Sequence, residues 1–361
     1  MNRNRLYLAA AFLAYTALAS GVYAENDSAT RPVFDESGVV HVPAFELPPS
    51  ELSSQEARDF MKLRARMPSD LPTKEPDIEK SRKGLAAMLA PQLAGMLEMY
   101  PVEVAEQEIG GVPTRVVTPG NYKFDPERIL INLHGGAFNT CWESCSVLES
   151  APIAVLGGYR VVSVNYRMAP EAVHPAGVED VAKVYRELLK SYKAKHIGIY
   201  GCSAGGALTA QAAAWLPAHD LPQAGAVGIF GAGGVRINAG DSSYIAGYID
   251  GSFPPPAKQG EAKIDMTRGY FAGSDMSDVF ISPALHLDVL KKFPPALIIT
   301  GTRAMDMSSA IVTNSQLIKA GGRSTLIVGE GMGHCYIYSP QLPEAQDAFA
   351  AIVSFFGENL R

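Results

Sequence analysis

Ile197-Gly198-Ile199-Tyr200-Gly201-Cys202-Ser203-Ala204-Gly205-Gly206-Ala207 is the stretch on which the reading of this chain turns. Its first half is a short apolar run of the kind that forms a buried strand. Its second half is made of small residues that open an alanine-rich helical pattern, Ala207 to Trp215. Between the two lies G-x-S-x-G, from Gly201 to Gly205. In a strand–turn–helix context this pattern makes a nucleophile elbow, with glycines around the serine because a Cβ on either side would clash. The turn lifts the Ser203 hydroxyl above the sheet. It also sets the N–H of Ala204 at a helix N-terminus, where developing negative charge is favoured. Short patterns of this type also occur as simple packing turns, so the weight of the reading comes from the rest of the chain.

Working outward, apolar strand-like and amphipathic helix-like segments alternate on both sides of the elbow. Val102–Ile109 and Thr114–Thr118 read as a strand pair joined around Gly110-Gly111. Arg128–Leu133, Arg160–Asn165, His196–Gly201, Ala226–Phe230, Pro295–Thr300 and Ser324–Val328 read as further strands. Ser150–Leu156, Val178–Ser191, Ser308–Ala320 and Leu342–Asn359 read as helices. Such alternation predicts an α/β fold with a mostly parallel sheet covered on both faces. Before residue 102 the character differs. Residues 25–50 are proline-rich and read as an extended tail; Glu51–Met67 and Asp77–Met99 have helical spacing, the second interrupted near Pro91. These helices are expected to form a cap, so that 25–101 is tail and cap and 102–361 is the main domain. Residues 233–285 are polar and rich in glycine and proline, and read as an insertion that completes the cap.

Residues 1–24 read as a secretory signal peptide. Arg3 and Arg5 form a positive start, Leu6–Leu18 an apolar core, and Val22-Tyr23-Ala24 a small-residue cleavage site. The apolar core is short for a membrane span, so the expectation is a secreted or periplasmic protein with no membrane insertion after cleavage. The formal charge of −6 offers no footprint for nucleic acid. Gly231-Ala232-Gly233-Gly234 follows a strand, but G-x-G-x-x-G fails at Arg236, which argues against a dinucleotide. No C-x-x-C pair or histidine cluster points to a metal, and no cofactor is expected. The four cysteines of an exported chain favour disulfides.

Acyl transfer needs a nucleophile, a base, a group that orients the base, and donors for the oxyanion. Strand 128–133 runs into His134-Gly135-Gly136-Ala137-Phe138, where glycines let backbone N–H groups approach a ligand. The donors are therefore expected among Gly135, Gly136 and Ala137, together with Ala204. The expected base is His334, in Gly331-Met332-Gly333-His334-Cys335 just after the last strand. His41, His196, His219 and His286 fit less well, in tail, strand start or loop. The orienting acid should follow strand 295–300, where the loop Gly301–Asp306 contains a single carboxylate, Asp306. Asp306 would equally suit a helix N-cap, and Glu330 is the reserve.

Taken together, His134-Gly135-Gly136-Ala137-Phe138, then Tyr166-Arg167-Met168-Ala169-Pro170-Glu171 with His174-Pro175-Ala176 and Glu179-Asp180, then Gly201-Cys202-Ser203-Ala204-Gly205-Gly206, resemble the hormone-sensitive-lipase family of α/β-hydrolases, the bacterial family IV carboxylesterases. The resemblance runs from about Val102 to the C-terminus. It implies the α/β-hydrolase fold with an eight-stranded, mostly parallel sheet, helices on both faces and a helical cap, no cofactor, and hydrolysis of small esters through Ser203, His334 and an acid. Two departures stand out. The third glycine of the family pattern is Ala137 here, and the family acid falls where this chain has Ala304, so Asp306 has to reach His334 by a different backbone path. A binding protein that has lost turnover, and an amidase or acyltransferase, are the rival readings.

The order Cys202-Ser203, Asp306, His334-Cys335 also resembles tannase and feruloyl esterase hydrolases, whose flanking cysteines pair beneath the triad. That resemblance implies a Cys202–Cys335 disulfide and admits small aromatic esters as substrates. Two buried thiols are the alternative. Cys141 and Cys145 either close a small loop near the oxyanion turn or remain free.

Overall fold

The apolar runs assemble as strands of one sheet in a computed structural model that describes residues 31–64, 77–121, 123–246, 249 and 265–361. The expected signal peptide and parts of the expected helix 51–67 and insertion 233–285 lie outside the described residues. Residues up to Pro48 form a unit of their own. Within it, the stretch expected to be wholly extended contains a short antiparallel pairing, Val33 with His41 and Phe34 with Val40. Asp35 closes the turn by accepting from the amides of Ser37 and Val39.

Everything from Pro49 to Arg361 belongs to the second unit. Its strands are β1 (Val102–Ile109), β2 (Val112–Pro119), β3 (Ile129–Leu133), β4 (Arg160–Val164), β5 (Ile197–Cys202), β6 (Ala226–Phe230), β7 (Ala296–Gly301) and β8 (Ser324–Gly329). They form one eight-stranded sheet in the order β8-β7-β6-β5-β3-β4-β2-β1. β2 runs antiparallel to both neighbours, and the other pairings are parallel. Every residue of β3, β5, β6 and β7 is buried. Burial on both faces is why these strands read as mostly apolar runs, with Asn132 and Thr300 as exceptions, and not as alternating patterns. β1, at the edge, is mostly exposed and carries Glu103, Glu106 and Glu108, charges that discourage pairing with another sheet.

Among the described residues, the α-helices longer than one turn are α1 (Gln55–Arg64), α2 (Ile78–Met99), α3 (Trp142–Leu148), α4 (Ala151–Gly157), α5 (Ala176–Leu188), α6 (Ala204–Ala218), α7 (Met307–Lys319) and α8 (Pro343–Asn359). The period of two along each strand sorts them into two layers. Ile129, Ile131 and Leu133 pack with apolar residues of α5, α6 and α7, whereas Leu130 packs with those of α2, α3, α4 and α8.

One expectation about the N-terminal helices changes. α2 is continuous through Pro91. Pro91 and Ala87, whose carbonyl loses its helical partner, are both exposed, so solvent replaces the missing bond. Met96 of α2 and Tyr100 just after it are buried in the same cluster as Phe349 of α8, so one side of α2 reaches the core. Among the described residues, no helix is long and apolar enough to cross a membrane.

Phe349 is fully buried and meets Tyr100 edge-on at 6.0 Å between ring centroids. Phe349→Ala is expected to destabilise this unit by about 3–5 kcal/mol. Urea unfolding should show it as a lower midpoint with an unchanged slope.

Candidate active site

β5 ends at Cys202 and α6 begins at Ala204. The single residue between them, Ser203, has φ 59° and ψ −123°, a region that L-residues enter at a cost of about 1–3 kcal/mol. The turn is possible because the adjoining backbones touch. A Cβ on Gly205 would lie 1.7 Å from the carbonyl oxygen of Leu133, at the end of β3.

His334 and Asp306 converge on this serine from the loops after β8 and β7. The Ser203 hydroxyl lies 2.9 Å from His334 Nε2, and His334 Nδ1 lies 2.6 Å from Asp306 Oδ1. Asp306 is fully buried, and its second oxygen accepts from the Thr300 hydroxyl at 2.6 Å. It occupies the N-cap position of α7, but its side chain makes no capping bond; both oxygens are spent on His334 and Thr300. The two-residue displacement from Ala304 therefore does not keep the carboxylate from the imidazole. Glu330 is exposed and accepts instead from the Ser50 hydroxyl.

The oxyanion turn differs from expectation at one residue. The Gly135 amide donates to Glu149 Oε1 at 2.8 Å and is withdrawn from the set of donors. A buried carboxylate needs its lone pairs filled, and this amide is one of the groups that fills them. Among the described residues, the amides of Gly136, Ala137 and Ala204 have no acceptor. Gly136 has φ +109°, and a Cβ there would lie 2.2 Å from the Thr140 carbonyl oxygen, whereas Ala137 stands at φ 52° in the left-handed region. The motif from Tyr166 to Asp180 props this turn. Ala169 N–H donates to the Phe138 carbonyl, Tyr166 O–H donates to that of His134, and Arg167 is held by Asp180 and Glu179.

Cys202 is bonded to Cys335, with their Cα atoms 6.3 Å apart, and Cys141 to Cys145, at 5.3 Å. The first bridge joins the residue before Ser203 to the residue after His334. The second spans the first turn of α3, directly after the oxyanion turn.

A cavity of about 350 Å³ opens beside Ser203 and Ala204, lined by Phe138, Gln211, Ile237, Phe271, Met276 and Ile281 among others. Several of these come from 233–285, the stretch expected to complete the cap. His334 is not among the lining residues.

Sequence reasoning missed Glu149. It is 1% exposed and receives the amides of Gly135 and Cys202, the Asn132 amide group and the Tyr338 hydroxyl. Burial pushes its carboxyl up to about 7, against these donors. An acid inside an otherwise uncharged stretch, Ser144–Val155, is the one trace it leaves in the sequence.

A family profile described as the alpha/beta hydrolase fold matches residues 130–338. Versiconal hemiacetal acetate esterase of Emericella nidulans is 30% identical over 120 residues, 33% of this chain and 41% of that protein. Acetyl-hydrolase of Streptomyces hygroscopicus is 29% identical over 247 residues, 65% of this chain and 78% of that protein. Among solved structures, an esterase at 27% identity superposes with a TM-score of 0.75 over 89% of this chain and 99% of its own. An esterase of the bacterial hormone-sensitive lipase family, at 23% identity and a TM-score of 0.70, covers 85% of this chain and 97% of its own, and shares the fold.

Because the folded state holds the Glu149 proton more tightly than the unfolded chain, its contribution to stability is fully present below pH 4.5 and is lost as pH rises through about 7. Between those limits the wild type is expected to lose up to about 3 kcal/mol relative to Glu149→Gln. Urea unfolding of both proteins at pH 4.5 and pH 8 checks the sign.

Proposed function

The chain belongs to the alpha/beta hydrolase fold family, and from that premise we propose that it is an exported serine carboxylesterase acting on short-chain or small aromatic esters. The observation that carries the reading is the unbroken chain from Ser203 through His334 to Asp306, with three unpaired amides around the nucleophile. Named esterases and acetyl-hydrolases among its relatives and structural neighbours point the same way.

His334 Nε2 takes the proton of Ser203 as its oxygen attacks the ester carbonyl carbon. The carbonyl π electrons move to oxygen, and the amides of Gly136, Ala137 and Ala204 receive the oxyanion. Asp306 keeps the proton on Nδ1 of His334 and stabilises the imidazolium. When the intermediate collapses, the C–O bond to the alcohol breaks and His334 gives its proton to the departing oxygen. Water, deprotonated by the same histidine, then attacks the acyl-serine, and the acid leaves as Ser203 regains its proton.

The alcohol half must depart on the His334 side in order to be protonated there. The cavity beside Ala204 and Phe138, which His334 does not line, is therefore the acyl site. Its volume and apolar lining suit a short chain or one ring. Two disulfides suit an oxidising compartment, which supports the reading of residues 1–24 as a signal peptide. The binding-only alternative drew on Ala304 and loses that argument once Asp306 bonds His334.

Initial rates on p-nitrophenyl butyrate test the proposal. Ser203→Ala is expected to lower kcat by at least about 10³-fold, and Asp306→Asn by about 10²- to 10⁴-fold. Wild-type turnover that survives in Ser203→Ala would refute the mechanism.

A further inference from the structure

The hydrolytic cycle gives Glu149 no step. Its carboxylate nevertheless joins the segments that cycle depends on. Oε1 accepts from the Gly135 amide at 2.8 Å and from the Tyr338 hydroxyl at 2.6 Å. Oε2 accepts from the Asn132 side chain at 2.8 Å and from the Cys202 amide at 3.2 Å. The donors lie on the oxyanion turn and the strand leading to it, on the last residue of β5, and on the turn after His334. They come from positions 14, 53 and 189 residues away from Glu149, apart from Asn132 at 17.

The geometry goes beyond filling a core. By taking the Gly135 amide, Glu149 fixes the peptide that enters the turn whose next two amides are free. The same stretch of backbone is pressed against the nucleophile, since a Cβ on Gly135 would lie 2.7 Å from the Tyr338 hydroxyl and 3.4 Å from Ser203 Cβ. Charge-assisted bonds of this kind are short and directional, and a buried carboxylate is tolerated only while its donors stay in place. A shift of any one segment therefore strains the bonds to the others.

We propose that Glu149 is a positioning residue for the transition state: its carboxylate holds the oxyanion turn, the residue before Ser203 and the Tyr338 turn in one register, and so sets where the free amides stand relative to the serine oxygen. The proposal rests on the esterase reading of the same site. It places the effect in the tetrahedral state and not in the binding of the ester.

Glu149→Gln keeps the shape of the side chain but turns one acceptor into a donor facing donors. Near-UV circular dichroism and thermal unfolding establish whether the variant folds. In the folded variant, kcat for p-nitrophenyl butyrate is expected to fall about 100-fold with KM within about threefold of wild type, the scale of losing one oxyanion donor. The dissociation constant of butylboronic acid, which forms a tetrahedral adduct on the serine oxygen, should rise in parallel. Tyr338→Phe removes one of the four bonds and keeps the ring, with an expected loss of about fivefold in both readouts.

A folded Glu149→Gln protein with kcat and boronate affinity within about twofold of wild type overturns the proposal, as does a loss confined to KM. If Glu149→Gln does not fold, Tyr338→Phe decides: parallel losses support the proposal, and wild-type values in both readouts overturn it. Boronate binding needs no turnover, so a wild type that binds boronate but hydrolyses no ester would sink the esterase reading and still decide the role of Glu149. A wild type that does neither overturns both.

Discussion

The carbonyl oxygen at the end of β3 lies against the backbone of the first turn of α6 so closely that Gly205 has no room for a Cβ. That contact is what allows β5 to turn into α6 within a single residue. Ser203 is held in a left-handed conformation, and its strain persists only because β3, β5 and β6 are buried and fixed on both sides. The same contact brings the oxyanion turn, which continues from β3, next to the serine. Ser203 and the His134–Phe138 turn are thus neighbours because two adjacent parallel strands end at the same level, Leu133 opposite Gly201.

The remaining parts of the site are delivered by the other parallel strands. β7 ends at Gly301 and β8 at Gly329, paired in register, and their following loops supply Asp306 and His334. Parallel strands point all their C-terminal ends to one side, so loops far apart in sequence converge there. Convergence alone leaves the distances loose, and three kinds of tie tighten them. The Cys202–Cys335 bridge joins the elbow to the histidine loop. Thr300 steadies the buried carboxylate of Asp306. Glu149 gathers backbone from the oxyanion turn and the elbow strand.

Asp306 shows how a displaced acid can be accommodated. A loop that leaves β7 two residues longer before its carboxylate would ordinarily aim that group elsewhere. Here the displacement places Asp306 at the N-cap position of α7, with helical backbone (φ −83°, ψ −4°) and no side-chain capping bond. The Ser308 amide donates instead to the Ser242 hydroxyl, and the buried Asp306 carboxylate is bonded to His334 and Thr300. Local helix chemistry and the site compete for the same side chain, and the site holds it.

Much of this was legible in the amino-acid order. Runs such as Ile129–Leu133, broken only by Asn132, and Ala226–Phe230 are apolar because both faces of those strands are covered, and the alternation of such runs with helical spacing marks the fold class. Gly201, Ser203 and Gly205 declare the elbow as a five-residue pattern, although the atom that leaves Gly201 and Gly205 no room for a Cβ is the Leu133 carbonyl oxygen of the neighbouring strand. Tertiary structure alone decided the rest. Pro91 remains inside α2 because its side of the helix is exposed, which no local rule reveals. α2 is part of the core because Met96 and Tyr100 find α8, which lies far along the chain. Gly135 is lost as an oxyanion donor because Glu149 reaches it from α3's far end, and Glu149 has no motif of its own. Sequence records constraints that neighbouring residues impose on one another, whereas a buried carboxylate is defined by the donors that folding brings to it.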